Sequence, residues 1–300
     1  MVGVLRITAP LSTGAPLCLQ CAPVRAAAPA DSTVAGDYGA AMEAFRFETH
    51  GDVLVATLQH PTSAVNAVDE LLHDEFAALF GQLRRNPGGR AVVLTAEGRA
   101  FSAGGDFDWF PKLRDTQQLD SLRRVAKQMI WDLLDIEVPV VCGLNGSAAG
   151  LGASIALLCD LVVMSDRAVI VDPHVNVGLV AGDGGAVIWP QLLGPMAAKR
   201  HLLLGEPLTA ADALRLGVAT EVCAPMMVRE RAISWAERLA LQPPLAVKGT
   251  KQAVNAGLKQ ALLISFDLST ALEIPCFLSN DHAAAVDAIR EGRTVRFEGR

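Results

Sequence analysis

Three hundred residues, 51% of them hydrophobic, suffice for one large domain, or a domain with a small appendage, around a sizeable core. A formal net charge of -6 leaves no basic footprint for nucleic acid, so an anionic ligand must be held by local Arg or Lys side chains or by helix N-termini. No run reaches the roughly 18 apolar residues of a membrane span; the longest apolar stretch, Leu151 to Met164, is interrupted by Ser154 and Asp160.

Residues 1–41 differ in composition from the rest. They carry Arg6 and Arg25, no acid before Asp31, and many Ala, Pro, Ser and Thr, which predicts a disordered extension or a start upstream of a true beginning at Met42. A transit peptide would share the lack of acids, but two arginines are few and the prolines oppose an amphipathic helix. Phe45–Glu48 and Val53–Leu58 flank His50-Gly51-Asp52 as a hairpin. Asp69–Arg85 reads as a helix with Leu72, Phe76, Leu79 and Leu83 on one face. A short strand follows at Ala91–Thr95, a helix at Leu119–Ile136, a strand at Pro139–Leu144 and a helix at Gly150–Cys159. Leu161–Ser165 and Ala168–Val171 read as strands. Helices are then expected at Gly185–Leu193, Pro195–Leu204, Ala210–Leu216, Val228–Leu241, Pro244–Ala256, Leu258–Phe277 and His282–Arg290. Strands alternating with helices, then helices alone, predict an α/β core over residues 42–240 and a helical region over 241–300. No repeat is visible in the sequence itself.

The six cysteines, Cys18, Cys21, Cys142, Cys159, Cys223 and Cys276, are spread along the chain, three of them in apolar runs. That pattern reads as reduced thiols of an intracellular, cytoplasmic protein. Cys18 and Cys21 form a lone C-x-x-C with no second pair, which argues against a zinc site, and no metal is expected.

Two glycine-rich segments carry the chemical signal. Gly98-Arg99-Ala100-Phe101-Ser102-Ala103-Gly104-Gly105-Asp106 follows one strand, and Asn145-Gly146-Ser147-Ala148-Ala149-Gly150-Leu151-Gly152 follows another. Glycine lets backbone approach a ligand closely, and the free N–H groups at a helix start are fixed donors for a negative oxygen. Two such turns meeting in space would hold one carbonyl oxygen in an oxyanion hole; tight packing alone would also use such glycines. Neither segment is a G-x-G-x-x-G dinucleotide motif.

Phe101-Ser102-Ala103-Gly104-Gly105-Asp106 resembles the F-[SC]-A-G-[GA]-D signature of the enoyl-CoA hydratase/isomerase, or crotonase, family. Asn145-Gly146 with its glycine turn and Cys159-Asp160 resembles the second signature. His60-Pro61 with Asn66-Ala67, Gly178-Leu179-Val180 with Gly184-Gly185, and the stretch Leu208 to Ala219 resemble three more, in the family's order over roughly residues 45–250. The resemblance implies a crotonase-like spiral of ββα turns with a helical C-terminal trimerisation region. It implies a small-molecule acyl-CoA thioester as substrate, no separate cofactor, no nucleic-acid or membrane partner, and a homotrimer or dimer of trimers. It also implies backbone N–H groups of Ala103 and Leu151 as oxyanion donors, with Ala64, Val65, Gly104, Gly105, Asp106, Trp109 and Gly150 around the substrate.

The departures define the chemistry. The hydratases of this family place glutamates at the positions held here by Ser154 and His174. Hydration needs a base for water and a proton for the α-carbon, and an imidazole oriented by a carboxylate can serve. His174 is therefore expected as base or acid, Asp183, nine residues on, as its orienter, and Ser154 as a helper. Structural roles compete: Asp183 can cap the helix starting near Gly185, Ser154 can be a small packing residue, and Trp109 and Phe110 suit a pocket wall. The His and Asp pair with this spacing also resembles the 6-oxocamphor hydrolase type of the same family, which cleaves a carbon–carbon bond of a cyclic β-diketone without CoA; a further histidine of that type aligns with Leu151 and is missing. Two alternatives to the hydratase or isomerase reading follow, a β-diketone hydrolase and a non-catalytic acyl-CoA-binding relative.

Overall fold

The computed structural model describes residues 42–113 and 115–300; the expectations for residues 1–41, with Cys18 and Cys21, lie outside them. Strand β1 (Phe45–His50) pairs antiparallel with β2 (Val53–Leu58), and helix α1 (Glu70–Arg85) follows, capped by the Asp69 carboxylate accepting from Leu72 N.

One unit then recurs three times: a strand for a large sheet, a short strand for a small sheet, and a helix. The first is β3 (Ala91–Ala96), β4 (Ala100–Ser102) and α2 (Thr116–Leu134). The second is β5 (Val140–Leu144), β6 (Ser147–Ala149) and α3 (Leu151–Leu158); the third is β7 (Leu161–Ser165), β8 (Val169–Val171) and α4 (Gly185–Leu193). Helix α5 (Pro195–Leu204), β9 (Leu208–Thr209), α6 (Ala210–Arg215), β10 (Glu221–Cys223), α7 (Val228–Ala240), α8 (Pro244–Phe277) and α9 (Asn280–Glu291) complete the chain. The large sheet has the order β1-β2-β3-β5-β7-β10 and the small one β4-β6-β8-β9. This is the expected α/β spiral of ββα turns with a helical C-terminal region.

The central strands are buried on both faces, which is why they read as near-continuous apolar runs. Alternate residues serve different layers. Leu54 and Ala56 of β2 join Phe76, Phe101, Met129, Trp189 and Phe266 inside the spiral, whereas Val53 and Val55 pack with Val93, Val141 and Val163 beneath Val228, Ala232 and Ala236 of α7. The small-sheet strands β4, β6 and β9 span two or three residues, too few for alternation to be seen in sequence. Helix α8 runs unbroken for 34 residues where two helices were expected to meet near Gly257. A helical glycine costs about 1 kcal/mol, and burial of Leu262 and Phe266 beyond it outweighs that cost. Among the described residues no single helix is long and apolar enough to cross a membrane, and Cys142, Cys159, Cys223 and Cys276 are free thiols.

Candidate active site

Strand β8 ends at Val171, and Asp172-Pro173 turns the chain into a single 3-10 turn, His174–Val177. The Asp172 carboxylate takes the backbone N–H of His174 at 3.3 Å and lies 2.6 Å from its ring Nδ1. An aspartate two residues before a turn bonds forward in this way, and here it fixes the ring as well. Asp172 is 1% exposed, so the bond to the imidazole N–H also pairs an otherwise buried charge. The orienting carboxylate is therefore Asp172. This corrects the expectation for Asp183, which arrives from the loop after Gly178 and meets the other ring nitrogen.

On that second side, Asp183 Oδ2 is 3.6 Å and Glu273 Oε1 3.8 Å from His174 Nε2. Both distances exceed a direct hydrogen bond and suit a group held between them. Asp183 Oδ1 accepts from Ser154 Oγ at 3.2 Å and from Gly185 N at 3.3 Å, so it serves the start of α4 and the site together; its Oδ2 has no partner. Glu273 comes from α8. A Cβ on Gly182 would lie 2.1 Å from Glu273 Oε2, so only glycine at 182 lets this carboxyl stand beside the imidazole.

Burial is the largest single influence on His174 and pulls its pKa down, but the charges of Asp172 and Asp183, the Asp172 hydrogen bond and Glu273 together hold it well above the usual imidazole value. Burial also raises the Asp183 carboxyl, against the opposing charge of His174. Glu273 is pushed up to about 8 by burial, with Asp183 and Asp172 adding to the shift and His174 opposing it. Near pH 7 the cluster thus holds an imidazolium and a neutral Glu273.

The Glu273 shift has a stability consequence with a definite sign. Its folded pKa is above the unfolded one, so the stabilisation from its neutral form is fully present below about 4.5 and is lost as pH rises through about 8. Glu273→Gln, which cannot ionise, should gain on the parent protein between pH 5 and pH 9, on the order of a few kcal/mol. Urea unfolding at the two pH values checks this; an unchanged difference would mean the carboxyl is not neutral in the fold.

The two glycine turns meet beside this cluster. Gly150 takes φ +50°, and a Cβ there would sit 3.5 Å from His174 Cε1, 3.8 Å from Asp183 Oδ2 and 3.8 Å from Gly104 Cα. Gly105 and Leu151 line one cavity with His174, Asp183 and Glu273. The expected donor Ala103 is not available, because its N–H already donates to Val65 O at 2.9 Å. Val68 bridges Gly105 as in a parallel sheet, giving its N–H to Gly104 O at 2.8 Å and accepting from Asp106 N at 2.9 Å. That pattern turns the N–H of Gly105 to the opposite side. The N–H groups of Gly105 and Leu151, two residues that line the cavity, have no protein acceptor among the described residues.

The cavity measures about 100 Å³, room for a compact acyl group. Trp109, Phe110, Leu119, Leu179, Ile274 and Phe277 give it an apolar wall, as expected of Trp109 and Phe110. Of the other expected contacts, Gly150 backs His174, while the carbonyls of Ala64, Val65 and Gly104 accept from Arg99 N, Ala103 N and Val68 N; Asp106 caps the turn at Asp108 N. These residues shape the loops and do not line the cavity. Asp172 and Glu273 escaped the sequence reading. Asp172 was open to discovery from its two-residue spacing before His174, whereas Glu273 stands in a helix with no motif around it.

Asp172, His174 and Asp183 also place ligand-type atoms within 4.8 Å of one another. Two of these, Asp172 Oδ1 and His174 Nδ1, are bonded to each other, which leaves one nitrogen and one carboxylate facing the cavity. The set suits proton handling better than metal binding.

A model of the enoyl-CoA hydratase/isomerase family matches residues 48–300. The (E)-benzylidenesuccinyl-CoA hydratase of Thauera aromatica is 31% identical over 257 residues, covering 84% of this chain and 98% of that protein. The crystal structure of an enoyl-CoA hydratase/isomerase from Mycobacterium paratuberculosis superposes with TM-score 0.77 at 35% identity, covering 82% of this chain and 99% of that one. A β-diketone hydrolase from Anabaena sp. PCC 7120, bound to (S)-3-oxocyclohexyl acetic acid, superposes with TM-score 0.76 at 31% identity, covering 81% and 97%.

Proposed function

Because the chain belongs to the enoyl-CoA hydratase/isomerase family, we propose that it adds water to a short or compact enoyl-CoA thioester, with Asp183 as proton acceptor and Glu273 as proton donor. One observation carries this reading: two carboxyl groups, one of them Glu273 with its pKa pushed up to about 8, converge on the free nitrogen of His174, beside the N–H groups of Gly105 and Leu151. The hydratases that the sequence resembles use two acids, and the positions of both are Ser154 and His174 here. Asp183, held by Ser154, and Glu273 supply two carboxyls from other elements.

The thioester carbonyl oxygen lies between the Gly105 and Leu151 N–H groups, where charge developing on it is stabilised. Asp183 Oδ2, without another partner, takes a proton from a water held beside His174 Nε2. The resulting hydroxide bonds to the β-carbon, the double-bond electrons move to the carbonyl oxygen as an enolate, and neutral Glu273 protonates the α-carbon. The imidazolium, fixed by Asp172, gives its Nε2 proton to Glu273 and regains one from Asp183, which restores the starting state. Crotonyl-CoA hydration, followed by loss of enoyl-thioester absorbance, tests the reading. Acyl-CoA binding without turnover of any enoyl-CoA would instead favour a binding protein.

A second reading, hydrolysis of a cyclic β-diketone, is favoured by the similarity to the Anabaena β-diketone hydrolase. The same Asp183-held water would attack a ring carbonyl, and the departing enolate would take its proton from Glu273. Turnover of a bicyclic β-diketone with no CoA present, and none of crotonyl-CoA, would select it.

A homotrimer or a dimer of trimers is the proposed assembly. Leu263, Ile264, Leu268 and Leu272 of α8 are 54–72% exposed in the single chain, an apolar row that self-association would cover. Light scattering gives the stoichiometry, and a monomer would dismiss it.

A further inference from the structure

The apolar wall of the reaction cavity is broken where the proposed chemistry makes no demand. Helix α2 lines it with Leu119, Leu122, Arg123 and Ala126, the spacing of one helical face. Three of these suit a hydrocarbon and the fourth is an arginine. Its terminal nitrogens are held by carboxylates, Nη2 by Asp120 Oδ1 at 3.1 Å and Nη1 near Asp267 Oδ1 at 3.8 Å. Its Nε is buried and has no partner. His73 of α1 lines the same cavity, and its Nε2 is likewise buried without a partner. Burial outweighs the nearby Asp74 and keeps the His73 pKa below its usual value, so this ring is neutral at pH 7. Buried polar nitrogens left unpaired are rare and costly, and two on one cavity wall call for an oxygen from the ligand.

We infer that Arg123 and His73 form a subsite for an uncharged oxygen, a hydroxyl or a ketone, carried by the acyl group away from its reacting carbons; this rests on the acyl thioester reading above. Charge decides against a carboxylate. Asp183 shares the cavity, His73 adds no charge, and the terminal guanidinium nitrogens face Asp120 and Asp267, carboxylates that Arg124 and Lys127 also pair. An oxygen-free chain would leave both nitrogens dry, whereas a hydroxyl can accept from Arg123 Nε and donate to a ring nitrogen of His73.

Calorimetric binding of unreactive saturated thioesters tests this separately from turnover. The probes are hexanoyl-CoA, 4-oxohexanoyl-CoA, 5-oxohexanoyl-CoA, 5-hydroxyhexanoyl-CoA and adipoyl-CoA. At least one oxo or hydroxy thioester should bind about tenfold or more tighter than hexanoyl-CoA, and adipoyl-CoA should not share the gain. In Arg123→Met, which keeps an unbranched stem, the ratio to hexanoyl-CoA should fall to about one, and in His73→Phe it should fall in the same direction. Equal binding of plain and oxygenated thioesters, a preference for adipoyl-CoA, or a ratio that survives both substitutions overturns the subsite alone. Failure of all five thioesters to bind overturns the acyl-CoA reading and the subsite with it.

Discussion

Replacing Asp183 by Asn should lower kcat for enoyl thioester hydration by about 10²–10⁴-fold, with a much smaller effect on KM. Asn keeps the shape and can still accept from Ser154 Oγ and Gly185 N through its amide oxygen, so the loop has its present bonds available. It loses the carboxylate oxygen that lies 3.6 Å from His174 Nε2 without a hydrogen-bond partner, and with it the ability to take up a proton. No neighbour can take over. Ser154 is a poor base as an isolated hydroxyl, His174 is already protonated, and Asp172 is bonded to the far side of the ring. His174→Ala should cost a similar factor, because it removes the proton path between Asp183 and Glu273 and leaves Asp172 buried without its partner. The double variant should be little worse than either single one, as for groups that act as a unit. Near-parental kcat in Asp183→Asn, with crotonyl-CoA turned over by the parent, would remove Asp183 from the chemistry and return the role of base to His174.

The difference between that result and the pairing expected from sequence shows what the chain order conceals. The strand–glycine–helix junctions were legible because each is local: a buried run, a glycine turn and a helix start lie within about twenty residues. The spiral came from the family resemblance alone, since the junction that recurs after β3, β5 and β7 leaves no repeat in the sequence itself. His174 was legible by subtraction, since a titratable residue stands where an acid was expected. Which carboxylate touches which ring nitrogen was not. That depends on the 3-10 turn at His174, which brings Asp172 onto Nδ1 and leaves Nε2 to residues arriving from elsewhere. Glu273 was beyond reach for another reason. It lies on one face of a 34-residue helix whose apolar pattern reports only packing, and its place in the site depends on the missing side chain at Gly182. Ala103 failed at a finer scale. Gly104 takes φ +78°, which breaks the regular alternation of the segment and turns the N–H of Gly105 away from the stretch 65–68 that the N–H of Ala103 faces. Val65 takes Ala103, and no chain covers Gly105 in this way.

Glu273→Gln should likewise lower kcat by about 10²–10⁴-fold, and it should change the pH profile in a way that no packing defect would imitate. In the parent protein the active form has Asp183 ionised and Glu273 neutral. Activity should therefore rise with pH through the raised pKa of Asp183, above the usual carboxylate range, and fall again near 8 as Glu273 ionises. Glutamine fills nearly the same volume beside Gly182 and has no proton to lose, so the residual activity of the variant should keep its acid limb and lose the fall near 8. The competing source of that fall is His174, whose pKa is also held above its usual value. If the limb near 8 persists in Glu273→Gln, the imidazolium is the group that titrates, and Glu273 shapes the cavity without giving the proton. Solvent deuterium makes the assignment sharper. A proton delivered by Glu273 in the slow step slows the parent reaction in D₂O, and a variant that protonates the α-carbon from bulk water by another route should show a different isotope effect. Equal isotope effects and equal pH profiles in parent and variant would together exclude Glu273 as the acid.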